Sequence, residues 1–231
     1  MAMKLGLPSK GRLHTRVIDW FAAHGVRIER STRERAYSGS VAGMTDVELV
    51  FLSAGEIPKE LAAGRIHVGV TGLDLIREKL APGAVTELAP MGIGHATLAL
   101  AVPSVWVDVR TLNDFDAVCG QFRKTHGHRL RIATKYHRLV HRNLSCFGVA
   151  DYQLVDSQGA TEGTVKNRAA EAVADITSTG NTLRANHLRV LDDGVFLQSQ
   201  AWAFASNSAD WNAAAEAGFA ALAKKPDWPK R

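Results

Sequence analysis

Short runs of aliphatic and β-branched residues alternate along the chain with longer stretches whose apolar positions recur every three or four residues. Residues 4–7 read as a first strand. Ser9-Lys10-Gly11-Arg12 follows, and a helix runs from there to about His24. Residues 47–52 (VELVFL) form a buried strand. Ser53-Ala54-Gly55-Glu56 then has capping-box spacing and opens a helix that ends near Gly64. Residues 66–70 are a strand, and Gly72-Leu73-Asp74 turns into another helix. Beyond Gly92 and Gly94 an alternating strand covers 95–102. A second capping pattern, Thr111 to Asp114, opens a helix over 111–125. Strand 131–134, helix 137–146, strand 152–155, a helix around 165–171 and strand 173–177 come next. Ser178-Thr179-Gly180-Asn181 leads into a short helix. Two strand-like runs follow Leu188, the second over 195–204, before an alanine-rich helix at 208–223. This rhythm predicts parallel sheets covered by helices. A second series of units after Gly94 suits two α/β lobes better than one large sheet. Ligands of such folds lie outside the carboxyl ends of parallel strands, which places the site in the cleft.

Composition narrows the class. The 231 residues are 46% hydrophobic and 22% charged, ordinary for a soluble globular protein that needs no staples. Two cysteines, Cys119 and Cys146, make no disulfide framework and suit a reducing compartment. The first residues lack the apolar core of a signal peptide, and no apolar run reaches membrane-spanning length. A cytoplasmic location is expected. The net charge of +5, with a pI near 9.4, invites a polyanion, either nucleic acid or small phosphorylated ligands. From Arg123 to Arg142 stand seven Lys/Arg, four His and no acidic residue.

The stretch richest in chemistry is Asp175-Ile176-Thr177-Ser178-Thr179-Gly180-Asn181-Thr182-Leu183, between an apolar strand and a helix. Consecutive backbone N–H groups and hydroxyls at a helix start can cradle a phosphate monoester. Glu171 and Asp175 suit ribose hydroxyls, so a ribose-phosphate fits better than a bare polyphosphate. The plain structural alternative is a helix N-cap. No Gly-Lys-Ser/Thr is present, so the loop is not a Walker motif. Lys10 and Arg12 add cations at another strand–helix junction; Arg33, Arg35 and Lys135 carry the same choice between anion site and solvated surface. His126 with His128, and His137 with His141, tempt a metal reading. Neither cysteine has ligand spacing, so solvated histidines on a basic face are expected. Cys146 is expected to be a small buried thiol.

Together these stretches resemble ATP phosphoribosyltransferase, the first enzyme of histidine biosynthesis. The resemblance rests on Leu7-Pro8-Ser9-Lys10-Gly11-Arg12, Phe51-Leu52-Ser53-Ala54 with Glu56-Ile57-Pro58, and Gly69-Val70-Thr71-Gly72-Leu73-Asp74-Leu75. Arg131-Ile132-Ala133-Thr134-Lys135-Tyr136, Gly159-Ala160-Thr161-Glu162-Gly163 and the 175–183 loop complete it, in family order over about residues 4–205. It implies a two-lobed, periplasmic-binding-protein-like (type II) α/β fold with a central cleft. The first lobe would hold 1–94 with 189–231, and the second 95–188. The implied reaction joins ATP to 5-phosphoribosyl 1-diphosphate: adenine N1 displaces pyrophosphate at the anomeric carbon with inversion. On the same basis Thr177, Ser178, Thr179, Gly180, Asn181 and Thr182 take the 5-phosphate, and Glu171 and Asp175 the ribose. Arg12 and Arg35 are the catalytic candidates at the polyphosphate. Lys10, Gly11, Asp74, Thr134, Lys135 and Glu162 are candidates for nucleotide or polyphosphate contacts.

Such a displacement needs no strong base, because adenine N1 already holds a lone pair. Cations and Mg2+ carried by the substrate diphosphate would dominate, with no firm protein metal ligand. Ending after one helix and a tail, the chain resembles the short, catalytic-only form. That form works as a homodimer within a hetero-oligomer containing a histidyl-tRNA-synthetase-like regulatory subunit, which would carry the response to histidine. One departure is the basic run Thr164–Ala170, where the family segment is mostly apolar or acidic. The rival readings are a cytosolic small-molecule receptor on the same fold and a nucleic-acid binder using 123–142. The receptor has no need of two phosphate-type sites. The nucleic-acid binder lacks interleaved aromatics, having only Tyr136 in that stretch.

Overall fold

The computed structural model describes residues 1–30, 38–157 and 161–229. The chain divides into two compact units, Met1–His95 with Gln200–Arg231, and Ala96–Ser199. In chain order the first unit begins with β1 (Met3–Pro8), α1 (Gly11–Ala23), β2 (Ile28–Arg30), β3 (Ser38–Val41) and β4 (Met44–Leu52). It continues through α2 (Ile57–Ala62), β5 (Val68–Gly72), α3 (Leu73–Lys79) and β6 (Val85–Pro90). The second unit contains β7 (Ala96–Pro103), α4 (Leu112–His126), β8 (Leu130–Thr134), α5 (His137–Cys146) and β9 (Tyr152–Asp156). It ends with α6 (Gly163–Lys166), β10 (Ala172–Thr177), α7 (Asn181–Ala185) and β11 (Leu188–Ser199). The chain returns to the first unit with β12 (Ala201–Ser206) and α8 (Ala213–Ala223).

Both sheets are mixed rather than parallel. The first has the order β2-β3-β4-β1-β5-β12-β6, the second β11-β7-β10-β8-β9. Only β4, β1 and β5 run parallel in one, and β10, β8 and β9 in the other. The remaining strands join antiparallel. Strands β2, β3 and β6 are not among the expected ones; β2 and β3 are only three and four residues long and mostly exposed, and in β6 only Leu88 is buried. The expected strand over 195–204 is two strands in different sheets, parted at Gln200. Residues 189–199 accordingly belong to the second unit, not the first, because β11 pairs with β7 from Leu188 to Ser199.

Helix starts follow local chemistry. Thr111 and Asp114 form a full capping box on α4, which ends at Gly127 with φ 75°. At Ser53–Glu56 half of the box forms: Glu56 accepts the Ser53 N–H at 3.0 Å, and α2 starts one residue after Glu56. Hydrogen bonds from the Ser53 side chain and backbone hold the Glu56 carboxyl below its ordinary range. The expected helix at 165–171 is confined to α6, since Arg168 turns left-handed (φ 57°) and ends it. Gly69 lets α2 lie close on β5, for a Cβ there would stand 2.7 Å from Ile57 Cγ2.

The first unit's core joins β1, β4, β5 and β12 to Val17 and Phe21 of α1 and Phe219 and Leu222 of α8. Trp202 and Trp211 are half-buried and pack on the cores of this unit, Trp211 donating to Ser206 O at 2.9 Å. Cys119 is buried, and desolvation, helped by Asp116 and Asp151, pushes its thiol up to about 12. Cys146 is exposed, contrary to expectation, because it closes α5 on the helix's solvent side. No helix of the described residues is long and apolar enough to cross a membrane.

Candidate functional site

Within each unit several of the expected residues, though not Glu171, lie at the carboxyl ends of the parallel strands. In the second unit β8 and β10 are neighbours, with Thr134 opposite Ala174. Lys135, directly after β8, therefore reaches Asp175 near the end of β10, Nζ to Oδ1 at 3.2 Å. Asp175 is buried and also accepts the Ile176 N–H at 2.8 Å. Beyond it the loop turns back on itself. Thr177 Oγ1 accepts the Gly180 N–H at 2.9 Å, and Gly180 takes φ 70°, the left-handed conformation glycine favours. Arg184 ties the loop from behind by donating to Thr179 O at 3.0 Å and to Asn181 Oδ1. Ser178, Thr179, Asn181 and Thr182 remain exposed. Helix α7 has only five residues, so the loop's own N–H and hydroxyl donors matter more here than a helix macrodipole.

Two expected residues lie elsewhere or are otherwise engaged. Glu171 precedes β10 and stands at the strand's opposite end, about 13 Å from Asp175 at the usual rise per residue. There Arg131 holds it: Nη2 donates to Oε1 at 2.6 Å, and the backbone N–H donates to Oε2 at 2.8 Å. Burial alone would raise the Glu171 carboxyl, but Arg131's hydrogen bonds and charge outweigh it, leaving it below the ordinary range. The same contacts raise the Arg131 guanidinium. Glu171 thus closes a bridge rather than facing the loop. Thr134 is fully buried, its Oγ1 accepting the Tyr136 N–H at 2.9 Å, so its role is to shape the turn after β8. Thr161 and Ser157 are buried and joined at 3.0 Å between their hydroxyls, while Glu162, just before α6, is half-exposed. Gly159 and Ala160 lie outside the described residues.

In the first unit Ser9 follows β1 and donates its N–H to Leu52 O at 2.7 Å. Arg30 braces this turn, donating to Ser9 O at 3.0 Å and lying 4.4 Å over the Phe51 ring. Lys10 is extended, Gly11 has φ 81°, and α1 begins with no acidic residue in its first turn. Lys10 and Arg12 are exposed and have no ion-pair partner among the described residues. A pair of uncommitted cations at a helix start is a fitting receiver for an anion. Asp74 is buried in the first turn of α3, directly over Gly72, where a Cβ would stand 2.3 Å from its Oδ1. Arg33 and Arg35 lie outside the described residues.

Among the described residues no group of three or more His, Cys, Asp or Glu is placed to hold a metal ion. A cavity of about 510 Å³ in the second unit opens at Arg129, His141 and Tyr152, toward the amino ends of β8 and β9, and is lined by none of the expected site residues. Sequence reasoning missed Arg30 and the Arg131–Glu171 bridge. The latter joins residues 40 apart, and no local pattern signals such a pairing.

Known proteins resemble this chain over most of its length. A family model described as HisG, ATP phosphoribosyltransferase, matches residues 53–224. A protein of Cereibacter sphaeroides named ATP phosphoribosyltransferase is 62% identical over 231 residues, covering 99% of this chain and 98% of that one. One of the same name from Rhodopseudomonas palustris (strain BisB18) is 47% identical over 211 residues, 90% of this chain but 65% of the relative. The chain thus spans about two thirds of that second relative's length. Among solved structures, a chain of the ATP phosphoribosyl transferase (HisG:HisZ) complex from Thermotoga maritima is similar with TM-score 0.73. It is 21% identical, with 97% of each chain covered. The alkanesulfonate-binding protein SsuA from Xanthomonas axonopodis pv. citri gives TM-score 0.52 at 14% identity, covering 97% of this chain and 71% of that one. The GluR0 ligand-binding core gives 0.51 at 13% identity, with 98% and 97% covered. At these identities the likeness is one of fold, the periplasmic-binding-protein-like type II α/β fold, and gives a receptor role no support.

Proposed function

The chain belongs to the ATP phosphoribosyltransferase family, and from that membership we propose how its residues serve the reaction. The protein is an enzyme, a phosphoribosyltransferase of the first step of histidine biosynthesis. In that step the N1–C1 bond to the sugar forms as the C1–O bond to pyrophosphate breaks, with inversion, giving phosphoribosyl-ATP. The 177–182 loop takes the 5-phosphate through backbone donors and the hydroxyls of Ser178, Thr179 and Thr182. Asp175 accepts from the ribose hydroxyls, with Lys135 holding its carboxylate in place until substrate arrives. Lys10 and Arg12 receive the polyphosphate, and Arg12 stabilises the charge gathering on departing pyrophosphate.

The observation that carries this reading is the exposed, left-handed Gly180 loop beside the Lys135–Asp175 pair at the end of β10. Mg2+ carried on the substrate diphosphate would supply further charge neutralisation beside Lys10 and Arg12. A catalytic-subunit role beside a histidyl-tRNA-synthetase-like regulatory partner is supported by the full coverage of the Cereibacter relative and by the complex in which the Thermotoga chain was solved. A cytoplasmic location accords with the biosynthetic role.

The test is product analysis. Purified protein, with and without that partner, is incubated with ATP, 5-phosphoribosyl 1-diphosphate and Mg2+. Phosphoribosyl-ATP and pyrophosphate in equal amounts support the reading. Pyrophosphate without the adduct contradicts it.

A further inference from the structure

The carboxyl edge of β8 carries a second side-chain pair, an imidazole and a carboxylate, that the assignment above leaves unused. Lys135 reaches to one side, toward Asp175 on β10. Two residues later His137, the first residue of α5, reaches to the other side. Its Nε2 lies 2.8 Å from Oδ1 of Asp156, the last residue of β9. The His137 and Asp156 side chains are 42% and 69% exposed. A pair so open to water adds little to folding. Its position is more informative: ligands of open α/β sheets meet the chain outside the carboxyl ends of parallel strands, and this pair stands there between β8 and β9.

Because Asp156 can only accept when ionised, Nε2 carries the hydrogen and the ring is held in one orientation. Nδ1 then has no partner among the described residues. In the imidazolium form Nδ1 is a charged donor. In the neutral form it is a lone pair that repels a phosphate oxygen. Among the described residues, the charged and titratable groups near the ring in the chain or across the strand pairing are Asp156 on β9, Lys135 before α5 with its own Asp175, and Arg138 and His141 on α5. His141 is directed to the Tyr152 hydroxyl at 2.7 Å.

We propose that His137, oriented by Asp156, is a phosphate-binding residue of this enzyme whose contact with substrate exists only in the protonated ring. The proposal rests on the reading of the second unit as a substrate-binding edge. The phosphate belongs either to ATP or to 5-phosphoribosyl 1-diphosphate, and separate titrations of the two tell them apart.

The experiment measures kcat and each KM from pH 6 to 9 for the wild type, His137→Gln, His137→Lys and Asp156→Asn, with the regulatory partner present if activity requires it. In the wild type one of the two KM values rises about 5-fold or more between pH 6 and pH 9, while kcat stays level. His137→Gln has the raised KM at every pH. His137→Lys keeps the low KM and loses the pH dependence, a rescue that a merely structural contact would not give. Asp156→Asn weakens binding at low pH less than His137→Gln does. A wild-type KM and profile in His137→Gln would overturn the proposal, as would a Lys variant no better than the Gln variant. Calorimetric binding of inorganic pyrophosphate to wild type and His137→Gln at pH 6 and pH 8 separates this idea from the reaction itself. A wild-type advantage at pH 6 that vanishes at pH 8 sustains the proposal even if product assays fail. Equal binding at both pH values sinks it.

Discussion

Arg131 grips Glu171 through both carboxylate oxygens at the amino end of β10, while the phosphate-type loop leaves the same strand at its carboxyl end. One strand thus separates a carboxylate used for the fold from a carboxylate, Asp175, left near the loop. Residue type alone does not distinguish the two; their places along β10 do.

Glu171→Gln should therefore destabilise the protein without weakening substrate binding. Loss of the charged partner is expected to cost about 1–2 kcal/mol at neutral pH, the low end for charge-assisted bonds because the pair is partly solvated. Since the native carboxyl is held below its ordinary value, its contribution is complete above the unfolded carboxylate range and fades as pH falls through the native value. Denaturant unfolding at pH 7 and pH 3 should show the gap between wild type and variant closing in acid. A large rise in KM for 5-phosphoribosyl 1-diphosphate at unchanged stability would return Glu171 to the ribose.

Gly180→Val is expected to weaken binding of 5-phosphoribosyl 1-diphosphate by ten-fold or more and to leave ATP binding within about two-fold. A β-branched residue at φ 70° carries about 1–3 kcal/mol of strain, which the exposed loop relieves by moving. Calorimetry with each substrate reads the difference. Equal loss of both would mean the substitution acts on the fold.

Arg12→Ala should lower the rate of the chemical step by about 10²–10³, the usual effect of removing one group that stabilises developing charge. Arg12 is exposed and unpaired among the described residues, so the thermal midpoint should hardly move. Single-turnover kinetics decide the matter. A variant with wild-type chemistry removes Arg12 from the mechanism.

Thr111→Ala removes the hydroxyl that accepts the Asp114 N–H at 3.2 Å in the capping box of α4. A loss of about 1 kcal/mol is expected, with kcat and both KM values unchanged. A change in KM larger than the change in stability would show that α4 bears on the site.

Where local signals existed, the chain was readable. Lys10 and Gly11 mark the start of α1, Thr111 and Asp114 that of α4, and Thr177–Gly180 the loop after β10. Partners distant in sequence were not. Nothing near Glu171 announces Arg131, and Thr134 looks like a ligand residue until its hydroxyl is found capping Tyr136 N–H. The run from Val195 to Phe204 is continuously strand-like, yet its halves pair with β7 and with β5 and β6, a division set by sheet partners and not by propensity. His137 read as one more solvated histidine because Asp156, 19 residues away, becomes its neighbour only when β8 and β9 pair.

A crystal structure with 5-phosphoribosyl 1-diphosphate bound tests the assignment most directly. The predicted result is the 5-phosphate within hydrogen-bond distance of the backbone N–H groups of the 178–182 loop, Asp175 on the ribose hydroxyls, and the Arg131–Glu171 bridge unbroken. A 5-phosphate bound elsewhere, or Glu171 released from Arg131 and turned to the ribose, would contradict the account.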